Sequence, residues 1–501
     1  MAATIYSEYA KDRQGYFFGL TGTQLVILVA AGLPAVWMLN RQDWTGLAAA
    51  VAVWALVAVL VVVPIWGRSA TGWGIAAASF FVGRVTRWTR FRARAASGTA
   101  DDLAVPDLPG VLSQVAIHEA PPQGPDLTRV AVIQHHAQRT WAVTAAITHP
   151  GLALADPAER ASQGRGLATL LNTCARTELV EEVQFLIRSV PDDGAERAQW
   201  LNRHQRDSAP PLARTVNAQL AGMLSQAAVR TEAFVTVIVP EHRLAREARE
   251  FGRGVEGRAR ALALVRAEVE AALRTGLRVT RVDWLTSPQL AAAVRTGFSP
   301  GDRAGIIEAL AAAETDPVNA DVPWALAGPS GADAVVRHYS HDAWNSISAT
   351  IKLPAKGAVI GALSPVLTPT EPGERRSLVV GFPILAQSVA DRQTQNAEWS
   401  ADMGEQLRVR AGVRTRAREQ TALARTRGLD AKLASGNALV RPYAVCAVTV
   451  PKTCRIAEFG RRLDASIRRA GFAPMRLDLV QDAGFAAATI PLGISLTHTD
   501  S

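Results

Sequence analysis

Cysteine and lysine are scarce in this 501-residue chain, and each scarcity excludes a class of function. The three cysteines, Cys174, Cys446 and Cys454, are too far apart for paired ligand spacing. They form neither a disulfide framework nor a zinc site, and they fit a reducing compartment. The five lysines stand at positions 11, 352, 356, 432 and 452, so the net charge of +9 is carried by arginine. A phosphate-cradling loop ends in Gly-Lys-Ser/Thr. Lys356 instead precedes Gly357, and Lys452-Thr453 follows Val450-Pro451. The Walker type of ATPase site is therefore excluded.

Histidine groups only as His135-His136 with His149 and as His338 with His341-Asp342. The second set lacks a further carboxylate at ligand spacing, so both read as surface or packing residues and no metal or cofactor is expected. No serine has a nucleophile-elbow context. Gly252, Gly254 and Gly257 spell Gly-x-Gly-x-x-Gly but interrupt a helical pattern, where a dinucleotide site needs a strand before and a helix after. A membrane-bound enzyme of glycosyltransferase type is the rival function. It needs an Asp pair at a strand end, and the two available, Asp101-Asp102 and Asp192-Asp193, fall in turn-like sequence.

What the chain does have is apolar length near its N-terminus. Leu20 to Leu39 and Thr45 to Gly67 carry no charge, and Asn40 to Trp44 forms a short polar turn between them. A hydrocarbon core of roughly 30 Å takes about 20 helical residues, so each run is long enough to span. Neither has the polar face of a soluble helix. Nineteen mostly polar residues precede the first run, which argues against a cleaved signal peptide. Pro34 is tolerated inside a membrane helix. Trp37, Trp44, Trp54, Trp66, Trp73 and Trp88 lie near these runs, as an interfacial belt requires.

Orientation follows from Arg68, Arg84, Arg87, Arg90, Arg92 and Arg94, with no acid until Asp101. The positive-inside rule places both termini in the cytoplasm of a bacterial plasma-membrane protein with two helices. The uncharged stretch Thr71–Val82 is too short to span. With its arginine tail it reads as a basic interfacial helix over 71–94, lying on anionic lipid.

Beyond the anchor of residues 1–94 the pattern predicts a membrane-anchored α+β protein with mixed sheet and helix domains. Residues 95–127 read as a linker, 128–300 as one cytoplasmic α+β domain, 301–376 as a connection and 377–501 as a C-terminal α+β unit. Repeated strand–helix–strand units predict sheets covered on one side. Thr128–His135 and Thr140–Thr148 are expected to form a hairpin, and His242–Thr275 one long helix. Arginines 408, 410, 414, 416, 418, 425 and 427 read as a solvated helical face, not as a nucleic-acid contact.

Two ends of the chain resemble known families. Gly15-Tyr16-Phe17-Phe18-Gly19-Leu20-Thr21 followed by a close pair of apolar runs and a basic exit resembles the PrgI-type membrane proteins of conjugative type IV secretion. Gln481 to Gly493, with Phe485 and Pro491-Leu492-Gly493, is similar to an element that closes the non-catalytic N-terminal domain of conjugative VirB-type ATPases. The overall layout also resembles the EccE component of type VII secretion, within an actinobacterial membrane family. The resemblance implies a non-enzymatic structural component that docks a secretion or conjugation ATPase, through Phe485, Pro491 and Leu492. The aromatic belt and the positive-inside pattern, for their part, give membrane-interface roles to Trp44, Trp66 and the six arginines.

Overall fold

The computed structural model describes residues 22–62, 70–86, 89–152, 155–204, 206, 208–227, 229–314, 319–352, 360–385 and 437–496. The fold is mixed α+β, and its centre is one large antiparallel sheet.

Three apolar helices come first: α1 (Gly22–Asn40), α2 (Trp44–Val62) and α3 (Ala70–Val85). Asp43 sits just ahead of α2, and its Oδ1 accepts from the Gly46 N–H (3.0 Å) and the Thr45 hydroxyl (2.8 Å). The first of these bonds satisfies a donor that a helix start leaves open. α1 packs on α2 where the Trp54 indole donates to the Leu28 carbonyl at 3.0 Å. Trp44–Val61 has a mean hydropathy of 2.2, and only 6% of it is buried. A soluble core helix of that composition would be buried, and α2 is long and apolar enough to cross a membrane. α1 and α3 contribute the shorter apolar stretches Val26–Asn40 and Ala76–Val85.

The helix expected over 71–94 stops at Val85. Arg90–Arg92 is instead strand β1, paired antiparallel with β8 (Gly331–Ala334) in the register Arg90↔Asp333. Arg90 and Arg92 point to solvent while Phe91 is half-buried, the alternation of an edge strand.

The remaining strands are β2 (Val115–Glu119), β3 (Ala131–His135), β4 (Thr140–Thr148), β5 (Glu182–Pro191), β6 (Val229–Pro240), β7 (Arg281–Trp284), β9 (Tyr339–His341), β10 (Trp344–Lys352), β11 (Arg375–Pro383), β12 (Tyr443–Pro451) and β13 (Ala473–Arg476). The sheet runs β1-β8-β9-β10-β12-β11-β5-β6-β4-β3-β2, with β13 beside β10 and β7 beside β4. Its helices are α4 (Pro157–Arg176), α5 (Ala195–His204), α6 (Pro211–Ala227), α7 (Glu241–Phe251), α8 (Gly254–Gly276), α9 (Ser287–Phe298), α10 (Arg303–Ala313), α11 (Trp324–Ala327), α12 (Ser364–Leu367), α13 (Ile456–Arg469) and α14 (Gln481–Thr489).

This order contains an internal duplication. In the first half β4, α4, β5, β6, α8 and β7 place their strands as β7-β4-β6-β5. In the second half β10, α12, β11, β12, α13 and β13 place theirs as β13-β10-β12-β11. Both are the split βαββαβ arrangement. A hairpin precedes each (β2-β3 and β8-β9), and one helix follows each (α9 and α14). The halves meet strand to like strand, β5 on β11, from Arg376↔Ser189 to Pro383↔Glu182. Joining the same element of two copies is the geometry of a two-fold interface, here within one chain.

Alternation along the strands buries both faces. Ile133, Ile238, Val445 and Ala447 point into a core with α9 and α14. Val132, Val237 and Val239 point the other way, against Leu170 of α4 and Leu262 and Val265 of α8. Cys446 and Val448 do the same in the second half, against Phe459, Leu463 and Ile467 of α13. The sheet is therefore covered on two sides, where the sequence pattern predicts one. α4 and α8 cross with their backbones nearly touching, and a Cβ on Gly166 would overlap the Gly276 carbonyl.

Other expectations change for the same reason. Residues 301–376, read as a connection, supply β8, β9 and the nine-residue β10. Within the expected linker, Leu108 and Leu112 are core residues. The single helix expected over His242–Thr275 breaks into α7 and α8 at Gly252 (φ +125) and Gly254 (φ +73), conformations open to glycine. The helical face expected to carry arginines 408 to 427 lies outside the described residues.

Candidate interface at the membrane-proximal sheet edge

The chain leaves α3 through Thr86 and Thr89 and enters the sheet at once. The Ala334 N–H donates to the Thr89 carbonyl (2.8 Å) and the Ala93 N–H to the Ser330 carbonyl (3.0 Å), so β1 is held over its whole length. The Arg94 N–H then donates to Asp107 Oδ2 (2.6 Å), and the Arg94 guanidinium lies 3.5 Å from Asp107 Oδ1. β1 thus begins five residues after the end of α3.

A groove of about 630 Å³ opens beside β1, lined by Arg90, Arg92, Ser97, Asp333, Asp342 and Lys452 among others. Its acids are mostly engaged. Asp342 accepts from the Ser330 N–H (2.7 Å) and from Arg295 (3.2 Å). Arg90 approaches Asp333 only to 3.8 Å, and the Arg90 side chain is largely exposed, so that pair contributes little. Arg92 and Lys452 project to solvent. The rim is a cationic surface. The sequence pattern points to Arg90, Arg92 and Arg94. It gives no signal for Lys452, Asp333 and Asp342, which only the pairing of β8, β9 and β10 brings there.

Trp44 is 71% exposed at the start of α2, and Arg84 is exposed in the last turn of α3. Trp66, Arg68 and Arg87 lie outside the described residues.

The expected docking residues need correction. Phe485 is fully buried, with ring centroids 4.5 Å from His341, 5.3 Å from Tyr339 and 5.4 Å from Phe298. Pro491 and Leu492 are buried as well. The segment around them is a clasp, in which side chains of the first half hold successive carbonyls of the second half's tail. Thr144 donates to the Pro491 carbonyl (3.0 Å) and His135 Nε2 to that of Leu492 (2.7 Å). Gln184 donates to the Ile494 carbonyl (3.1 Å) and Gln138 to that of Ser495 (3.0 Å). None of the three residues presents a surface to a partner.

A surface of the right kind lies on α6, inserted between β5 and β6. Leu212, Val216, Leu220 and Met223 are 74, 51, 42 and 69% exposed at helical spacing. These residues form an exposed apolar stripe along α6.

Of the histidines and aspartates singled out from sequence, His135, His341, Asp192 and Asp193 are engaged in hydrogen bonds within the fold. His341 lies on a strand, not a helix, with Nδ1 2.8 Å from the Phe298 carbonyl and Nε2 2.8 Å from the Ser346 hydroxyl. Burial lowers its pKa to about 3. His135, buried too, is lowered to about 4. Among the described residues no group of three His, Cys, Asp or Glu is placed to hold a metal. Asp193 is bound by Arg303 (2.7 and 2.9 Å), and Asp192 Oδ1 accepts from the Gly194 N–H (3.0 Å). That pair closes a turn.

Neither the models of known protein families nor the curated proteins contain a match to this chain.

Proposed function

We propose that the protein is a non-enzymatic membrane scaffold that holds a cytoplasmic ATPase of a bacterial secretion or conjugation machine at the bilayer. In this reading α1 and α2 cross the plasma membrane as a pair, both termini are cytoplasmic, and α3 lies at the inner interface. The observation that carries the reading is the join between anchor and sheet. An apolar helix exposed along its length is followed, through α3, by a strand locked into a thirteen-stranded sheet. Force on β1 then passes to the sheet through the backbone hydrogen bonds that hold that strand.

The basic rim of Arg90, Arg92 and Lys452 seats on anionic lipid, and the apolar stripe of α6 takes the ATPase. The resemblance of the N-terminal pattern to PrgI-type proteins and of the layout to EccE supports that partner class. The test is purification of the full-length protein from its native membrane in mild detergent. Co-purification of a hexameric ATPase, lost when Val216 and Leu220 are changed to Asp, supports the proposal. A protein that purifies alone and turns over a sugar nucleotide would replace it with the enzyme reading.

A further inference from the structure

Between the sheet and the helices α9 and α14 lies a small space that the scaffold reading does not use. It is lined by Arg188, Arg375, Ser377, Thr449 and Thr489, with Gly297 and Pro300 at its margin. Ser377 pairs with Arg188 across β11–β5, and Arg375 with Thr449 across β11–β12. Directly paired residues share a face, so all four side chains point the same way.

Arg375 is the anomaly. Its Nε and Nη1 are shut off from solvent and have no hydrogen-bond partner. Trp344 covers the guanidinium, its ring centroid 4.6 Å from Cζ. Among the described residues no carboxylate is within ion-pair distance of it, and the near ones are taken. Glu232 is held by Arg188 at 2.8 Å and Asp193 by Arg303 at 2.7 Å. Burial, together with repulsion from Arg188 and Arg303, pushes the Arg375 pKa down to about 9. A buried cation with orphaned N–H groups is costly unless an anion meets it.

The hydroxyls supply the rest of a site. The Thr449 hydroxyl is 2.7 Å from that of Ser346, whose own proton goes to His341 Nε2, so the Thr449 proton is spent on Ser346. The Ser377 and Thr489 hydroxyls lie 2.8 Å apart. One donates to the other, which leaves one O–H free. Two guanidinium N–H groups and one hydroxyl therefore border a space of about 20 Å³. That is room for one occupant of roughly water size.

We propose that this space binds a single small inorganic anion of halide size, held by Arg375 and the Ser377–Thr489 hydroxyl pair. A water molecule fits the space and accepts the same hydrogen bonds, but it does not neutralise the charge. The anion ties α14 and β11 together and completes the seam between the two halves.

The test uses the full-length protein in neutral detergent, with sodium bromide replacing sodium gluconate at constant ionic strength. The thermal midpoint of the wild type rises saturably with bromide, by roughly 3 °C. Sulfate, too large for the space, gives no saturable rise, only the gradual one of an excluded salt. Arg375→Gln abolishes the bromide response and has a higher midpoint than the wild type in gluconate, because the uncompensated charge is gone. Thr489→Val keeps the response at several-fold higher bromide. A wild-type midpoint equal in bromide and gluconate means water alone and overturns the proposal, whatever the variants do. An unchanged response in Arg375→Gln overturns it too.

Discussion

His341 Nδ1 donates to the Phe298 carbonyl at 2.8 Å, joining a strand of the second repeat to the last turn of the helix that closes the first. His135 repeats the bond in the opposite sense, from β3 of the first repeat to the Leu492 carbonyl behind α14. Each half of the molecule thus holds the closing segment of the other through a buried neutral histidine.

That exchange makes stability depend on pH. Both histidines titrate lower in the folded protein, near 3 and 4, than the unfolded value of 6.5. The unfolded state therefore binds more protons below pH 6.5, so stability is full above 6.5 and falls as pH drops toward 4. The slope is about 1.4 kcal/mol per pH unit for each histidine. Denaturant unfolding at a series of pH values from about 7.5 down to 5 measures it. His341→Gln, which keeps a donor and an acceptor, should roughly halve the slope over the acidic part of that range, and an unaltered slope would refute this role.

Phe485→Ala and Leu220→Asp separate core from surface. The first empties a site fully enclosed by His341, Tyr339 and Phe298 and should cost about 3–5 kcal/mol. The second lies on an exposed helix face and should change stability by about 0.5 kcal/mol or less. In co-purification the pattern reverses, with Leu220→Asp losing the partner at full stability. Loss of partner in a stably folded Phe485→Ala protein would return docking to the C-terminal segment.

Gly166 sets the crossing of α4 on α8. Gly166→Val forces the helices apart and should lower stability by about 3 kcal/mol or more, read by thermal unfolding. Gly74, with open space around its Cα, is the matched control, and Gly74→Ala should leave the midpoint unchanged.

The parts of the fold legible in the sequence are those that rest on local pattern. The β3–β4 hairpin shows its own period and turn chemistry, whereas Gly252 and Gly254 read as an interruption within one long helix and not as the boundary between α7 and α8. Trp344–Lys352 does not read as a strand, because its buried residues include Ser346 and Ser348, which are packed or paired only through distant partners. Phe485 and Leu492 read as a docking surface because a large apolar residue in a short motif looks the same in a core or at an interface. Leu492 is held by the first half of the chain, more than 300 residues away in sequence, and Phe485 by Phe298, Tyr339 and His341, each more than 100 residues away. The duplication is illegible for the same reason, since it lies in strand order and not in a repeated string.

The basic rim should govern lipid contact. Arg90→Gln, Arg92→Gln and Lys452→Gln together remove three positive charges from the groove. Each is worth about 1 kcal/mol near an anionic surface. In reconstituted nanodiscs the triple variant should lose the salt-sensitive preference for anionic over neutral lipid, and an unchanged preference would place that contact elsewhere.

The central claim is that α1 and α2 cross the bilayer and leave the sheet in the cytoplasm. Reporter fusions after residue 42 and after residue 496, read with a periplasm-active and a cytoplasm-active enzyme in parallel, test it most directly. The account predicts an external signal at residue 42 and a cytoplasmic signal at residue 496. An external signal at residue 496, or release of the whole protein from membranes by alkaline carbonate, would contradict it.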